Sequence, residues 1–347
     1  MSARPGNIGG HVPVEQAMTR YAIQAREPGG PEVLERVETP VPDAPAGGLL
    51  VEVVAAGVNF IDTYRRSGLY PMPFPHVVGS EGAGIVRAVG ADVDGFVEGD
   101  RVAWQSGTAG SYTTHVALDA GQALHVPDDV DLEVAAAVLL QGLTAHYLVD
   151  SVFPVTPGQD VLVHAGAGGV GLLLTQLARA KGARVLTTVS TAEKDALSRA
   201  AGAADVIRYD QLGDLTTELP ATVRALTGSR GVHTVFDGVG RATFDASLAS
   251  LRPRGGLALF GGASGPVPAF DPQRLNAAGS VYLTRPSLAH FVATRDELER
   301  RAADLFTAIG RGELDVRIGA RFPLEDAGRA HAALERRATT GKVLLLP

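Results

Sequence analysis

The sequence predicts a mixed α/β protein in two parts, a β-rich region followed by a doubly wound parallel sheet. Three observations carry this. Short Val-rich runs broken by Gly, Pro and Asp fill residues 21–128, and strand-like and helical segments alternate from about residue 132. Glycine is also high, 42 of 347 residues, about 12% against a usual ~7%. Alternation of strand and helix implies parallel strands covered on both faces. The glycine excess implies many turns or close backbone approaches.

Residues 1–17 carry no periodicity and read as a flexible arm, with Met18 a candidate start. LLVEVVAAGV, EGAGIVRAVG, RVAWQSG and SYTTHVAL are short strands. EVAAAVLLQGLTAHYLVDSV is a long helix entered after the acidic PDDVDLE. QDVLVHA, RVLTTVS, ADVIRY, HTVFDGV, GLALFGG and SVYLTRP are the strands of the second part. After Arg285 two amphipathic helices, roughly 287–309 and 324–338, lead to a last strand, KVLLL.

Composition excludes several classes. Lys and Arg number 31 against 38 Asp and Glu, a net charge of −7, which disfavours a nucleic-acid partner. There is no cysteine, so disulfides, thiolate zinc sites, iron–sulfur clusters and a cysteine nucleophile are excluded. No apolar run approaching the ~20 residues of a membrane span is expected, and the N-terminus lacks the apolar core of a secretory signal. The expectation is a soluble, cytoplasmic protein with no membrane partner. None of the nine histidines shows ligand spacing, and no metal site is expected.

The sharpest motif is HAGAGGVGLLLTQLARAKGARVLTTVS, where Gly166, Gly168 and Gly171 satisfy G-x-G-x-x-G, with Gly169 and Val170 inside the turn. An apolar strand precedes it, an amphipathic helix follows, and a second strand closes a βαβ unit of about thirty residues. In that context the glycines serve a tight turn, backbone access to a pyrophosphate, and close helix packing. The anion sits where free N–H groups and the helix dipole favour negative charge. A ligand-free glycine turn is the competing reading. No Gly-Lys-Ser/Thr follows, so a Walker-type loop is excluded.

The end of the second strand selects the dinucleotide. NAD sites usually carry an acid there. Here Val189 is followed by Ser190, Thr191, Ala192, Glu193 and Lys194. Ser190-x-x-Glu193 reads as a capping box that occupies the lone acid. That leaves Lys194 and the hydroxyls for a 2′-phosphate, so the reading favours NADPH, against a merely solvated helix lysine.

Further stretches, GVNFIDTYRRSGLYPMPFPHVVGSEGAGIV, GDRVAW, QGLTAHYL, GVGRATFDASLASLRPRG, YLTRPSL and AHAALERRATTGKVLLLP, together with the glycine turn, resemble the zinc-independent medium-chain dehydrogenases/reductases. The resemblance is to their bacterial NADPH:quinone oxidoreductase branch, related to zeta-crystallin, and runs from about residue 20 to the C-terminus. It implies a GroES-like catalytic domain over 18–141 and 285–347, with a Rossmann cofactor domain inserted at 142–284. Zinc-dependent members have a cysteine ligand where this chain has Asn59, and GHE where it has Gly79-Ser80-Glu81. Without that zinc, an electrophilic quinone-like acceptor remains reducible by a positioned hydride donor.

The resemblance places Asn59 and Tyr64 at the nicotinamide, Tyr64 as a donor to a developing oxyanion. Core packing and turn hydrogen bonding are the alternatives for these two. It assigns Phe60, Ile61, Asp62, Thr63 and Tyr147 to the pocket lining. Ser190, Lys194, Tyr209 and Arg337 go to the adenosine phosphate end, Gly238, Phe260, Gly261 and Ser264 to turns after strands, and Thr284 and Arg285 to the chain's return. Gly166 replaces a usual alanine, which implies a looser turn, and Arg65 puts a charge where an apolar residue is expected. Rival readings are an NADPH-dependent enoyl or alkenal reductase with an enone substrate, and a non-catalytic NADPH-binding or RNA-binding protein. A homodimer through the edge strand 279–284 is also implied, since an exposed apolar edge invites pairing.

Overall fold

A computed structural model describes residues 19–105 and 110–347; the expected arm at 1–17 lies outside them. The first part is a sheet of seven strands. Ile318–Pro323, Lys342–Leu346, Gly48–Val58, Glu81–Val89, Arg101–Gln105 and Ala123–His125 lie in that spatial order, and His115–Asp119 pairs with Gly48–Val58. A small sheet of Leu34–Pro40, Thr19–Ala25 and His76–Val77 sits beside it. The C-terminal strand KVLLL is apolar after its first residue because it lies inside this sheet, between Ile318–Pro323 and Gly48–Val58.

The second part is a six-stranded sheet in the order Asp205–Arg208, Arg184–Val189, Asp160–Val163, Val232–Asp237, Leu251–Leu259 and Tyr282–Thr284. Every neighbouring pair is parallel. The strand earliest in sequence is central and the order reverses beside it. Such a switch point opens a crevice at the strands' carboxyl ends, where dinucleotides bind in doubly wound folds.

The helix Leu132–Tyr147 joins the two parts. Asp131 caps it, its carboxylate accepting from the Glu133 N–H at 2.7 Å. Its alanines and leucines pack on Ala55, Ala83 and Ala103 of the first sheet and on Val161, Val163 and Leu174 of the second part. Contrary to the sequence expectation, an apolar run of membrane-spanning size exists. Leu132–Val152 is long and apolar enough to cross a bilayer, but 72% of its most apolar window is buried inside the protein. Burial between two sheets demands an all-round apolar helix as a bilayer does.

Two other elements depart from expectation. The helix expected from 287 starts at Arg295, because the Thr294 hydroxyl caps it by accepting from the Glu297 N–H; only a 3₁₀ turn, Leu288–His290, precedes it. Within the strand-rich part, Phe60–Arg66 forms a short helix whose entry is held by the Asp62 carboxylate, accepting from the Asn59 N–H at 2.9 Å. Asn59-x-x-Asp62 is a capping pattern present in the sequence.

Candidate functional site

One cleft runs along the crevice between the two parts. Its walls include Asn59, Phe60, Gly168, Gly169, Val170, Gly171, Ser190, Lys194, Tyr209, Gly238, Phe260 and Arg337, all named from the sequence. The turn between Val163 and the helix Gly169–Ala180 forms its floor. Ala165 holds a φ of +54° there, and Gly171 lies so close to the Ala165 carbonyl that a side chain would collide with it. Gly168 takes the N-cap position without a side-chain cap, leaving the first-turn N–H groups to the cleft. Gly166 does not loosen the turn as expected. A Cβ there would lie 2.5 Å from Thr187 Cβ and 2.8 Å from Ser198 Oγ, so the glycine permits close packing.

Below the turn, His164 is buried, its Nδ1 2.9 Å from Thr188 Oγ1 and its Nε2 2.9 Å from Ser247 Oγ. Burial lowers its pKa, so its hydrogen bonds are those of a neutral ring. Ser247 and Thr243 donate to the Asp237 carboxylate, which also accepts from the Val239 and Gly240 N–H groups. This network holds the loop at Gly238 against the cleft. Gly238 leaves room for the Phe260 ring, and Gly261 for the Gly238 carbonyl. Ser264 ties the same loop from behind, donating to the Val239 carbonyl and accepting from the Ala242 N–H.

At the far end, Ser190 follows the second strand, Arg184–Val189, and Lys194 and Tyr209 line the cleft with it. The expected Ser190–Glu193 capping box does not form. Thr191 is the N-cap, its hydroxyl accepting from the Lys194 N–H, because the helix starts one residue later, at Ala192. Glu193 is exposed on the helix while Lys194 turns inward. Lys194 Nζ donates to the Arg337 carbonyl at 2.7 Å. Arg337, at a φ of +58°, is thereby carried 143 residues along the chain to the same end.

At the near end the structure gathers residues that sequence reasoning did not single out. Lys342 and Glu81 form an ion pair, both fully buried. The other Glu81 oxygen accepts from the Leu140 N–H at 2.8 Å. Asn59 bridges the pair, its Nδ2 2.6 Å from Glu81 Oε1 and its Oδ1 2.8 Å from Lys342 Nζ. Gln141 Nε2 donates to Asn59 Oδ1 at 3.3 Å. A lysine opening an otherwise apolar strand was the available signal for Lys342. The partner was not, because Glu81 lies 261 residues away.

Asp62 points into the interior, away from the cleft. It accepts from Ser80 Oγ at 2.5 Å and from the Tyr112 hydroxyl at 3.2 Å, and burial pushes its pKa up to about 6. The Tyr112 hydroxyl also lies 3.0 Å from His331 Nε2, and burial lowers His331 to about 3. Arg65, expected to charge the pocket, turns to Ser80 Oγ at 2.8 Å. Ile61 and Thr63 sit on the same short helix, Thr63 donating to the Phe60 carbonyl. The Tyr64 hydroxyl accepts from the Gly262 N–H at 3.2 Å, linking the two parts, and burial raises it to about 12. Arg285 donates to the Tyr70 hydroxyl at 3.1 Å, and Tyr70 packs on Tyr64 with centroids 5.3 Å apart. Tyr147 stacks on Phe291 at 4.5 Å, and Thr284 ends the edge strand.

The donors fit a phosphorylated dinucleotide. An uncapped helix start follows a turn without side chains, and two cations lie where an acid would otherwise meet a ribose. They do not fit a catalytic zinc of the alcohol dehydrogenase type. The position of a thiolate is Asn59, and its neighbour Glu81 already holds an ammonium.

Comparison with known proteins agrees with this geometry. Residues 45–128 match the alcohol dehydrogenase GroES-like domain and residues 169–308 the family described as zinc-binding dehydrogenase. A quinone oxidoreductase of Pseudomonas aeruginosa is 43% identical, over 94% of this chain and 99% of its own length. A mycobacterial protein solved in complex with NADPH is 56% identical with a TM-score of 0.91, over 94% of this chain and all of its own. The Escherichia coli quinone oxidoreductase solved with NADPH is 41% identical with a TM-score of 0.90, over the same shares. The chain belongs to the quinone oxidoreductase family of the medium-chain dehydrogenases/reductases.

Proposed function

We propose that this chain reduces quinone-like acceptors with NADPH and without a metal. The observation that supports the reading best is the polarity of the cleft, with two cations at one end, bare backbone N–H groups in the middle, and a neutral aromatic and amide wall at the other. When bound, NADPH supplies the hydride. Lys194, Arg337 and Ser190 hold the 2′-phosphate, and Tyr209 covers the adenine. The N–H groups of Gly169, Val170 and Gly171 face the pyrophosphate.

At the near end Phe60 and Phe260 exclude water and Asn59 orients the ring. Tyr64 is protonated at neutral pH, as any tyrosine of ordinary pKa is, and burial, which raises it to about 12, keeps it so. Its hydroxyl proton is therefore available as a donor to an acceptor oxygen gaining negative charge. Ile61, Asp62 and Thr63 hold the helix that carries Tyr64, while Arg285 holds the Tyr70 hydroxyl and so the ring that packs on Tyr64. Consumption of NADPH with 1,4-benzoquinone and with an alkenal of similar size, each repeated with NADH, tests the reading. Fast NADPH-dependent quinone turnover is expected, and preference for the alkenal replaces it with an enone reductase. Tyr64→Phe should lower kcat/KM for several quinones by at least about tenfold.

The pairing of strands supports the division at 142–284, since that segment contributes one complete parallel sheet. We also propose a homodimer through the edge strand, where Tyr282 is 61% exposed, and a cytoplasmic location suited to a cysteine-free chain. Sedimentation as a monomer at micromolar concentration overturns the first.

A further inference from the structure

Resting on the NADPH reading above, we propose that Gln141 Oε1 accepts a hydrogen bond from the nicotinamide–riboside half of the bound cofactor, and that the buried Glu81–Lys342 pair orients the amide for it. An ammonium only donates and a carboxylate only accepts. Asn59 lies between them, with Nδ2 on Glu81 Oε1 and Oδ1 on Lys342 Nζ. The reverse orientation would set its carbonyl against the carboxylate and its NH₂ against the ammonium. With Asn59 fixed, Gln141 has one consistent orientation as well. Its Nε2 donates to Asn59 Oδ1, and its Oε1 is turned the other way.

That oxygen is buried and has no hydrogen-bond partner, while the residue lines the cleft against Gly169, where any Cβ would overlap Oε1. An unpaired amide carbonyl shielded from water is costly, and the last torsion of a glutamine is soft. A small rotation of the amide seats a donor at this wall and relieves the cost. A phosphate oxygen, itself an acceptor, is refused there. In the nicotinamide half, the donors that suit the site are a ribose hydroxyl or the carboxamide N–H. The ion pair thus turns an acceptor toward this wall, through two amides and without touching the cofactor.

The test compares Gln141→Met with the unaltered protein by fluorescence titration of NADPH and calorimetric titration of 2′,5′-ADP, which lacks the nicotinamide half. The expected result is NADPH binding weakened about five- to tenfold with 2′,5′-ADP unchanged, which also shows that the variant is folded. NADPH binding altered less than twofold overturns the proposal, and so does equal weakening of both ligands. If the unaltered protein binds neither, the NADPH reading itself fails, and this inference with it. The reduced 3-acetylpyridine analogue lacks the carboxamide N–H. A penalty that vanishes with it assigns the carboxamide, and one that persists assigns the ribose.

Discussion

The two ends of the cleft use charge in opposite ways. At the near end Glu81 and Lys342 are sealed from water and satisfied by each other, by Asn59 and by the Leu140 N–H. At the far end Lys194 is half-buried and Arg337 exposed, and Lys194 places one donor on a backbone carbonyl. A buried pair organises geometry at high cost if broken, whereas accessible cations remain available to an incoming phosphate. The contrast teaches which changes should damage folding and which should damage recognition.

The largest effect expected is from Lys342→Met, which leaves Glu81 buried and unpaired. It should destabilise the protein by about 3–5 kcal/mol in urea unfolding. Adding Glu81→Gln should recover much of that loss. A cost below about 1 kcal/mol would mean that the near wall does not depend on the pair.

Next in size is a pH effect confined to the near side. The Asp62 pKa is raised to about 6 in the folded protein, above its unfolded value of about 3.9. The native state therefore keeps a proton that the unfolded state releases, and Asp62's contribution to stability falls as pH rises from about 4 to 6. His331, lowered to about 3, has the opposite slope between its folded value and the unfolded ~6.5, so the two oppose each other. Asp62→Asn should remove only the first contribution. The stability of the variant minus that of the unaltered protein should rise from pH 4 to 6 by on the order of 2–3 kcal/mol, then level off. A difference that stays flat in pH contradicts it.

At the far end, Lys194→Ala with Arg337→Ala should raise the Kd for NADPH about ten- to a hundredfold, by removing charge-assisted hydrogen bonds. NADH binding and the unfolding midpoint should hardly move, since exposed substitutions usually stay within ~0.5 kcal/mol. Equal loss of NADH affinity would return the two cations to a structural role. The smallest effect is screening. Raising the salt from about 0.1 to 0.5 M should increase the KM for NADPH a fewfold and leave the buried pair, hence urea stability, nearly unchanged.

Much of the cleft was legible because its parts are local. The glycine turn, the strand before it and the helix after it lie within one stretch of chain, and Ser190 and Lys194 follow the next strand. The capping box at Ser190 was misplaced by one residue, since Ser190 and Thr191 are both able caps and the helix's packing decides between them. Gln141 and Lys342 were not legible. A glutamine on an apolar helix and a lysine opening a strand each have ordinary solvated explanations, and only distant partners give them meaning.

The sequence by itself determined the two-part α/β architecture, the dinucleotide turn and the absence of thiolate chemistry, because periodicity, glycine spacing and composition act over a few residues. Tertiary structure alone decided which charges are buried together. Strand Lys342–Leu346 enters the sheet beside Gly48–Val58, and its start bridges to the glycine turn at Gly168. That single return brings Lys342 to Glu81 and Arg337 to Lys194. The physical reason is that desolvation and Coulomb attraction depend on distance in space, which no spacing along the chain reveals for residues 261 and 143 positions apart.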